Sequence, residues 1–219
     1  MGNFFNMDNG FFTTLSKLCD ILLLSILWLL LCIPIVTIGP ATTAMYYATV
    51  KVIRRERGYL FREFFKSFRQ NFLNGAIFGV ILTAIYVILI IDRISVGDIT
   101  QTNEKMGVIL FYVYNTLIIM VTFFTMYLFP ILSRFSMTRK QLFKTAFIMS
   151  LRHLPSTIVM AAIILLFVVI SMTVPILMFV APCSAIFLCS FLMERIFKKY
   201  MPKSEGEAKE TGKDEWYLE

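Results

Sequence analysis

The chain has 219 residues, 58% hydrophobic and only 16% charged, with a formal net charge of +7 and a mean hydropathy of +0.76. A soluble domain coats itself with roughly 25% charged residues, so this composition excludes an ordinary cytosolic enzyme, a secreted disulfide scaffold and a disordered chain. Lipid must solvate most of the surface.

Uncharged runs occupy 21–50, 70–91, 106–133 and 154–193 and contain 30, 22, 28 and 40 residues. About 20 helical residues cross a hydrocarbon core of ~30 Å. Pro34 and Gly39-Pro40 interrupt the first run, which predicts a span over 18–38 and a new helix from Pro40, because a missing amide donor is harmless in a first turn. The middle runs predict spans over 71–91 and 107–132. The last run is long enough for two crossings. Pro175 predicts a kink late in the fourth span, and Ala181-Pro182 a hairpin, giving spans over 156–178 and 182–197. The expected fold is an all-α integral membrane protein with five transmembrane helices in one domain, residues 1–200.

Lys and Arg give the orientation. The segment before the first span has one, Lys17; residues 39–71 have seven; 92–105 have two; 134–153 have five and no acid; the residues after Glu194 have six. Alternate sides thus carry three and eighteen cations. Basic loops stay cytoplasmic, so the amino terminus is expected outside and the carboxyl terminus inside the cell membrane. Five spans satisfy both ends. The basic cluster follows the first apolar segment instead of preceding it, which argues against a cleaved signal peptide.

Two cytoplasmic segments read as amphipathic helices. Phe61, Phe64, Phe65, Phe68 and Phe72 fall on one stripe of a 3.6-residue period, with Arg62, Glu63, Lys66 and Arg69 opposite. Phe143, Ala146, Phe147, Ser150, Leu151 and Leu154 share a second face, flanked by Arg139, Lys140 and Lys144. Such helices lie in the cytoplasmic leaflet with cations toward anionic headgroups, or they dock on another protein. Both readings stay open, for these cations and for Arg54, Arg55 and Arg57. Topology alone accounts for the clustered basic charge, and no nucleic-acid motif accompanies it. Residues 201–219 carry three basic and six acidic groups without apolar periodicity and are expected to be disordered. Trp216-Tyr217-Leu218 is the one sticky element there.

Chemistry is sparse. Ionisable groups inside membranes mark function, yet no span carries one near its centre. Asp20, Asp92, Arg93, Glu194 and Arg195 sit at span ends and read as interfacial anchors. His153, the single histidine, reads the same way. Cys19, Cys32, Cys183 and Cys189 lack metal-ligand spacing, and a Cys19–Cys183 disulfide near the outer face stays open. There is no phosphate loop. No catalytic, cofactor or metal residues are expected.

The segment 34–47 stands out: a helix ends, Gly-Pro follows, and a helix restarts with Thr42 and Thr43 in its first turn. Exposed amides at such a start attract anions or acceptors, and broken helices hold transporter sites. The plainer reading is a surface turn whose hydroxyls satisfy freed backbone groups. Ala41, Ala44 and Ala48 offer a small face to another helix. Thr37, Gly39, Pro40, Thr42, Thr43, Tyr46 and Tyr47, with Phe61, Phe64, Phe65 and Phe68, form the candidate partner interface.

The runs PIVTIGPATTAMYY at 34–47, GYLFREFFKSFRQNF at 58–72 and LRHLP at 151–155 resemble the YesL family, small Firmicute membrane proteins with a DUF624 domain. That resemblance covers almost the whole chain. It implies association with carbohydrate-utilisation loci and sugar ABC importers, and it carries over no functional residues. The leading expectation is an accessory or regulatory subunit that touches the permease or ATPase of a carbohydrate importer. One alternative is an independent carrier or channel for a neutral solute, with its pathway at Gly39-Pro40. Another is a sensor or scaffold that recruits a cytosolic partner through the acidic tail.

Overall fold

The computed structural model describes residues 10–102 and 104–200. The predicted tail and its Trp216-Tyr217-Leu218 element lie outside them. Every regular element among the described residues is helical. Four helices are long and apolar enough to cross a membrane, at Thr14–Leu31, Phe72–Val96, Lys105–Arg134 and Leu154–Thr173. This is a membrane protein.

Helix α1 runs Gly10–Leu31 and stops before Pro34, because the residue preceding a proline is pushed out of the helical region. The chain therefore leaves the first span earlier than the predicted 18–38. A short 3₁₀ turn covers Ile35–Thr37, with the Thr37 hydroxyl shared between the carbonyls of Leu31 and Pro34. Helix α2, Ile38–Ala48, begins two residues before Pro40, which occupies its first turn. It continues into a π-helical segment, Thr49–Arg54. Helix α3, Leu60–Gln70, is joined through the single residue Asn71 to α4, Phe72–Thr102. Helix α5, Glu104–Arg134, returns alongside α4, and the Tyr86 hydroxyl donates to Thr122 Oγ1 at 3.0 Å between them.

Helix α6, Arg139–Arg152, starts with a capping box made by Thr138 and Gln141, which satisfies amides that the first turn would leave open. Through His153 it passes to α7, Leu154–Thr173. Pro175 does not kink this helix. It opens a separate 3₁₀ turn, Pro175–Phe179, because α7 has already ended. Helix α8, Ala181–Phe197, lies where the fifth span is predicted but is not among the four helices long and apolar enough to cross. With 17 residues it is short, and it buries polar residues inside the protein.

Helix α2 is the centre of the packing: nine of its eleven residues are buried. One face joins a cluster with Leu24, Ile53, Leu60 and Phe64. Tyr46 and Tyr47 join a second cluster with Tyr127, Leu128, Leu142, Met160 and Phe197. Its amino-terminal end crosses α4 at backbone contact. A methyl group on Gly39 would lie 2.0 Å from the Gly75 carbonyl oxygen, and one on Gly79 would lie 2.9 Å from the Gly39 nitrogen. Glycines four apart allow such an approach because they present bare backbone along one ridge.

Helix α1 runs back to back with this segment. Trp28 Nε1 donates to Thr42 Oγ1 at 3.1 Å, and Lys17 Nζ meets Glu56 Oε1 at 2.5 Å. The charge count assigned Lys17 and residues 39–71 to opposite faces of the membrane. Their contact removes that assignment, since a charge pair at this distance cannot straddle a bilayer.

Candidate functional site

Two features stand out around α2. The first is a buried polar knot. Glu194, near the end of α8, accepts hydrogen bonds from the Tyr46 hydroxyl at 2.9 Å and from Arg134 Nε at 3.0 Å. Arg134 Nη2 donates to the other carboxylate oxygen, completing a two-pronged contact, and Arg55 Nη2 lies 3.9 Å from it. The Arg134 and Glu194 side chains are 0% and 3% exposed. Four elements therefore converge on one carboxylate: α2, the turn after the π segment, α5 and α8. A planar guanidinium matches both oxygens at once, which fixes the rotation of α8 about its axis as well as its position.

A second pair lies beside it. Lys51 Nζ donates to Glu63 Oε2 at 2.8 Å and to the Tyr47 hydroxyl at 3.2 Å. This ties the π segment to α3, and both side chains are nearly buried. Arg54 Nη1 donates to the Ser190 carbonyl at 2.9 Å and its guanidinium covers the Phe191 ring. The wide turn of the π segment sends Lys51 toward α3 and Arg54 toward α8.

The second feature is an apolar cleft of about 610 Å³ bounded by α1, α2, α4, α5, α7 and α8. Trp28, Tyr46, Tyr86, Met160, Met178 and Cys189 contribute to its wall. Its hydroxyls are already committed: Thr42, Thr122, Thr125 and Ser171 each donate to the carbonyl one helical turn back. The cleft therefore offers apolar surface rather than directed polar groups.

The candidate interface splits on burial. Gly39, Pro40, Thr43, Tyr46, Tyr47 and Phe64 are buried, so the small-residue face of α2 meets the protein's own helices. Thr37, Thr42 and Phe68 are half-buried, while Phe61 and Phe65 are exposed. Among the predicted basic residues, Arg57, Arg69, Arg139, Lys140 and Lys144 are exposed, and Arg54, Arg55 and Lys66 are half-buried.

Glu194 is not the interfacial anchor that its place at a span end suggests; it is 2% exposed. Arg134 was counted only as loop charge. A signal was available. Glu56, Glu63 and Glu194 are the only acids beside fifteen cations in residues 39–71, 134–153 and 194–200, and a scarce acid in such surroundings finds a cation. His153 is half-buried, with Nε2 3.0 Å from the Tyr200 hydroxyl. All four cysteines are free, so Cys19 and Cys183 are not bridged. Among the described residues no three His, Cys, Asp or Glu side chains group as a metal site would require.

No curated protein and no solved structure matches the chain. A family model described as a protein of unknown function, DUF624, matches residues 21–93. The matched stretch runs from α1 into α4 and holds α2, the Gly39–Gly75 crossing, Lys51, Arg55 and Glu63. The match covers a third of the chain, and the motifs at 34–47 and 58–72 that carry the family likeness both fall inside it.

Proposed function

We propose that this protein is an accessory membrane subunit that works by protein–protein contact rather than catalysis, and that its partner is the permease or ATPase of a carbohydrate importer. The observation carrying this reading is the outer face of α3. Tyr59, Phe61 and Phe65 are exposed beside Arg62 and Arg69, while the inner face is held by Phe64 and the Lys51–Glu63 pair. Aromatic and arginine side chains on a rigid support are the composition of protein-binding hot spots. The importer as partner comes from the YesL resemblance. A photo-crosslinking residue at Phe61 or Phe65 in native membranes should capture permease or ATPase chains, identified by mass spectrometry. Crosslinks to neither, together with unchanged sugar uptake on deletion of the gene, would overturn the proposal.

For orientation, the loops 51–69 and 134–153 and the residues after Glu194 face the cytoplasm. Lys17 joins them through Glu56, so α1 and residues 38–54 form a hairpin that returns the chain to its starting side. Both termini are then cytoplasmic, in place of the external amino terminus that five crossings would give. A reporter fused at residue 1 that is active only when exported should stay silent; activity there would restore the five-crossing arrangement.

A second reading, a small carrier for a neutral solute, is favoured by the cleft. Purified protein in sealed vesicles that moved a sugar or ion without partners would establish it in place of the first.

A further inference from the structure

Helix α6 has two faces with different chemistry. Leu142, Ala146, Met149 and Ser150 are buried against the protein. Away from that face Ile148 and Leu151 are exposed, at 45% and 47%, with Lys140 and Lys144 exposed among them, and Phe143 stands at the border, 52% exposed with one side of its ring against Phe124 of α5 at 4.9 Å. A helix with its inner face satisfied has no packing reason to carry a second apolar face into water.

We propose that this outer face is a docking surface for the anionic headgroup layer of the membrane, with Lys140 and Lys144 on lipid phosphates and Phe143 and Leu151 among the acyl chains below. Continuity with the bilayer supports it: one residue, His153, separates α6 from α7, a helix long and apolar enough to cross, and Leu154 at the junction is itself exposed. The lipid around α7 therefore reaches α6 without a gap. Charge complementarity supports it too, since residues 135–153 contain four cations and no acid. The choice of lysine also distinguishes this face from α3. Lysine is depleted at protein interfaces, whereas its long stem lies along acyl chains while the ammonium reaches the headgroups. Arg139 and Arg152 are occupied, Arg139 by Asn74 Oδ1 at 2.9 Å and Arg152 over the Tyr200 ring.

The test places tryptophan at Phe143 (F143W) and, separately, at Leu151 (L151W). Each full-length protein is reconstituted in phosphatidylcholine vesicles containing equal mole fractions of brominated phosphatidylglycerol or brominated phosphatidylcholine. Quenching of the parent protein is subtracted. The anionic quencher should act roughly two- to fivefold more strongly at both positions. The excess should fall to parity in the K140Q/K144Q background and at 1 M salt, where the screening length is about 3 Å. Equal quenching by the two lipids would overturn the proposal, because the face would then show no charge preference. No quenching by either lipid would also overturn it, since protein would then cover the face. Neither result bears on whether α3 binds an importer.

Discussion

Helix α2 and the α4–α5 hairpin invert the rule that apolar residues go inside. The hairpin is almost continuously apolar, yet much of its surface faces outward, with Ile88, Ile109 and Ile119 each more than half exposed. Helix α2 carries two threonines, a glycine and a proline among its eleven residues and is nearly all buried. In a bilayer hydrocarbon is the solvent, so apolar character marks contact with lipid. Small and polar residues mark where helices meet, because close backbone approach and internal hydrogen bonds hold helices together there.

That contrast can be broken from its strong side. Replacing Gly39 by leucine puts carbon where the Gly75 carbonyl lies, and a backbone cannot move aside as a side chain end can. Loss of more than about 3 kcal/mol is expected, seen as failure to recover monodisperse protein in mild detergent. The same substitution at the exposed Val87 should leave recovery unchanged.

Next in size is the polar knot. Glu194→Ala leaves the Arg134 guanidinium buried without its carboxylate and should destabilise by about 3–5 kcal/mol. The double change Arg134→Met with Glu194→Leu should recover most of this, because neither charge then needs burial. Thermal unfolding followed by cysteine reactivity would read both, with Cys183 and Cys189 as buried reporters. If the double variant were as unstable as the single one, the pair would contribute more than charge balance. Tyr46→Phe removes one hydrogen bond to a charged acceptor and should cost about 1.5–3 kcal/mol.

The surface pair Lys17–Glu56 sharpens the comparison from its weak side. Its side chains are 36% and 59% exposed, so Lys17→Ala should change stability by less than about 1 kcal/mol although the geometry resembles that of the buried pair. Smallest of all is the titration of His153. Its imidazole is held below the ordinary value of 6.5 first by partial desolvation and then by Lys199 and Arg152. A base with a lowered value in the fold binds its proton more tightly when unfolded. Its contribution is therefore complete above pH 6.5 and declines as pH falls through the window beneath it. One histidine in the chain gives one imidazole resonance, whose midpoint should lie below 6.5 in the folded protein.

The sequence made the lipid-facing part of the molecule readable and left its centre hidden, for the same physical reason. Long uncharged runs report on lipid contact, so the long apolar helices α4, α5 and α7 lie on those runs, whereas the phenylalanines expected on one stripe divide, Phe64 buried and Phe61 and Phe65 exposed. The inner partners of α2 left no such trace. Gly39, Gly75 and Gly79 meet through tertiary geometry, and Arg134 finds Glu194 across 60 residues. The charge count treated Arg134 as loop charge because position along the chain says nothing about burial at a helix end. It separated Lys17 from Glu56 because it treated residues 39–71 as a cytoplasmic connection, whereas α2 folds back along α1. Proline rules located the break at Pro175 but not its form, since a helix that has already ended turns an expected kink into a separate turn, and they placed the first break at Gly39-Pro40 although α1 ends at Leu31, ahead of Pro34.

The position of Glu194 also sets an order of events during synthesis. A chain emerges from the ribosome amino terminus first, so Tyr46 is made 148 residues before its carboxylate partner and Arg134 is made 60 residues before it. Helix α5 must enter the membrane while its terminal guanidinium still lies in water or among headgroups. Only when α8 arrives can that end be drawn inward. The last helix therefore closes the first ones, and a chain cut short before Glu194 lacks the group that completes the assembly.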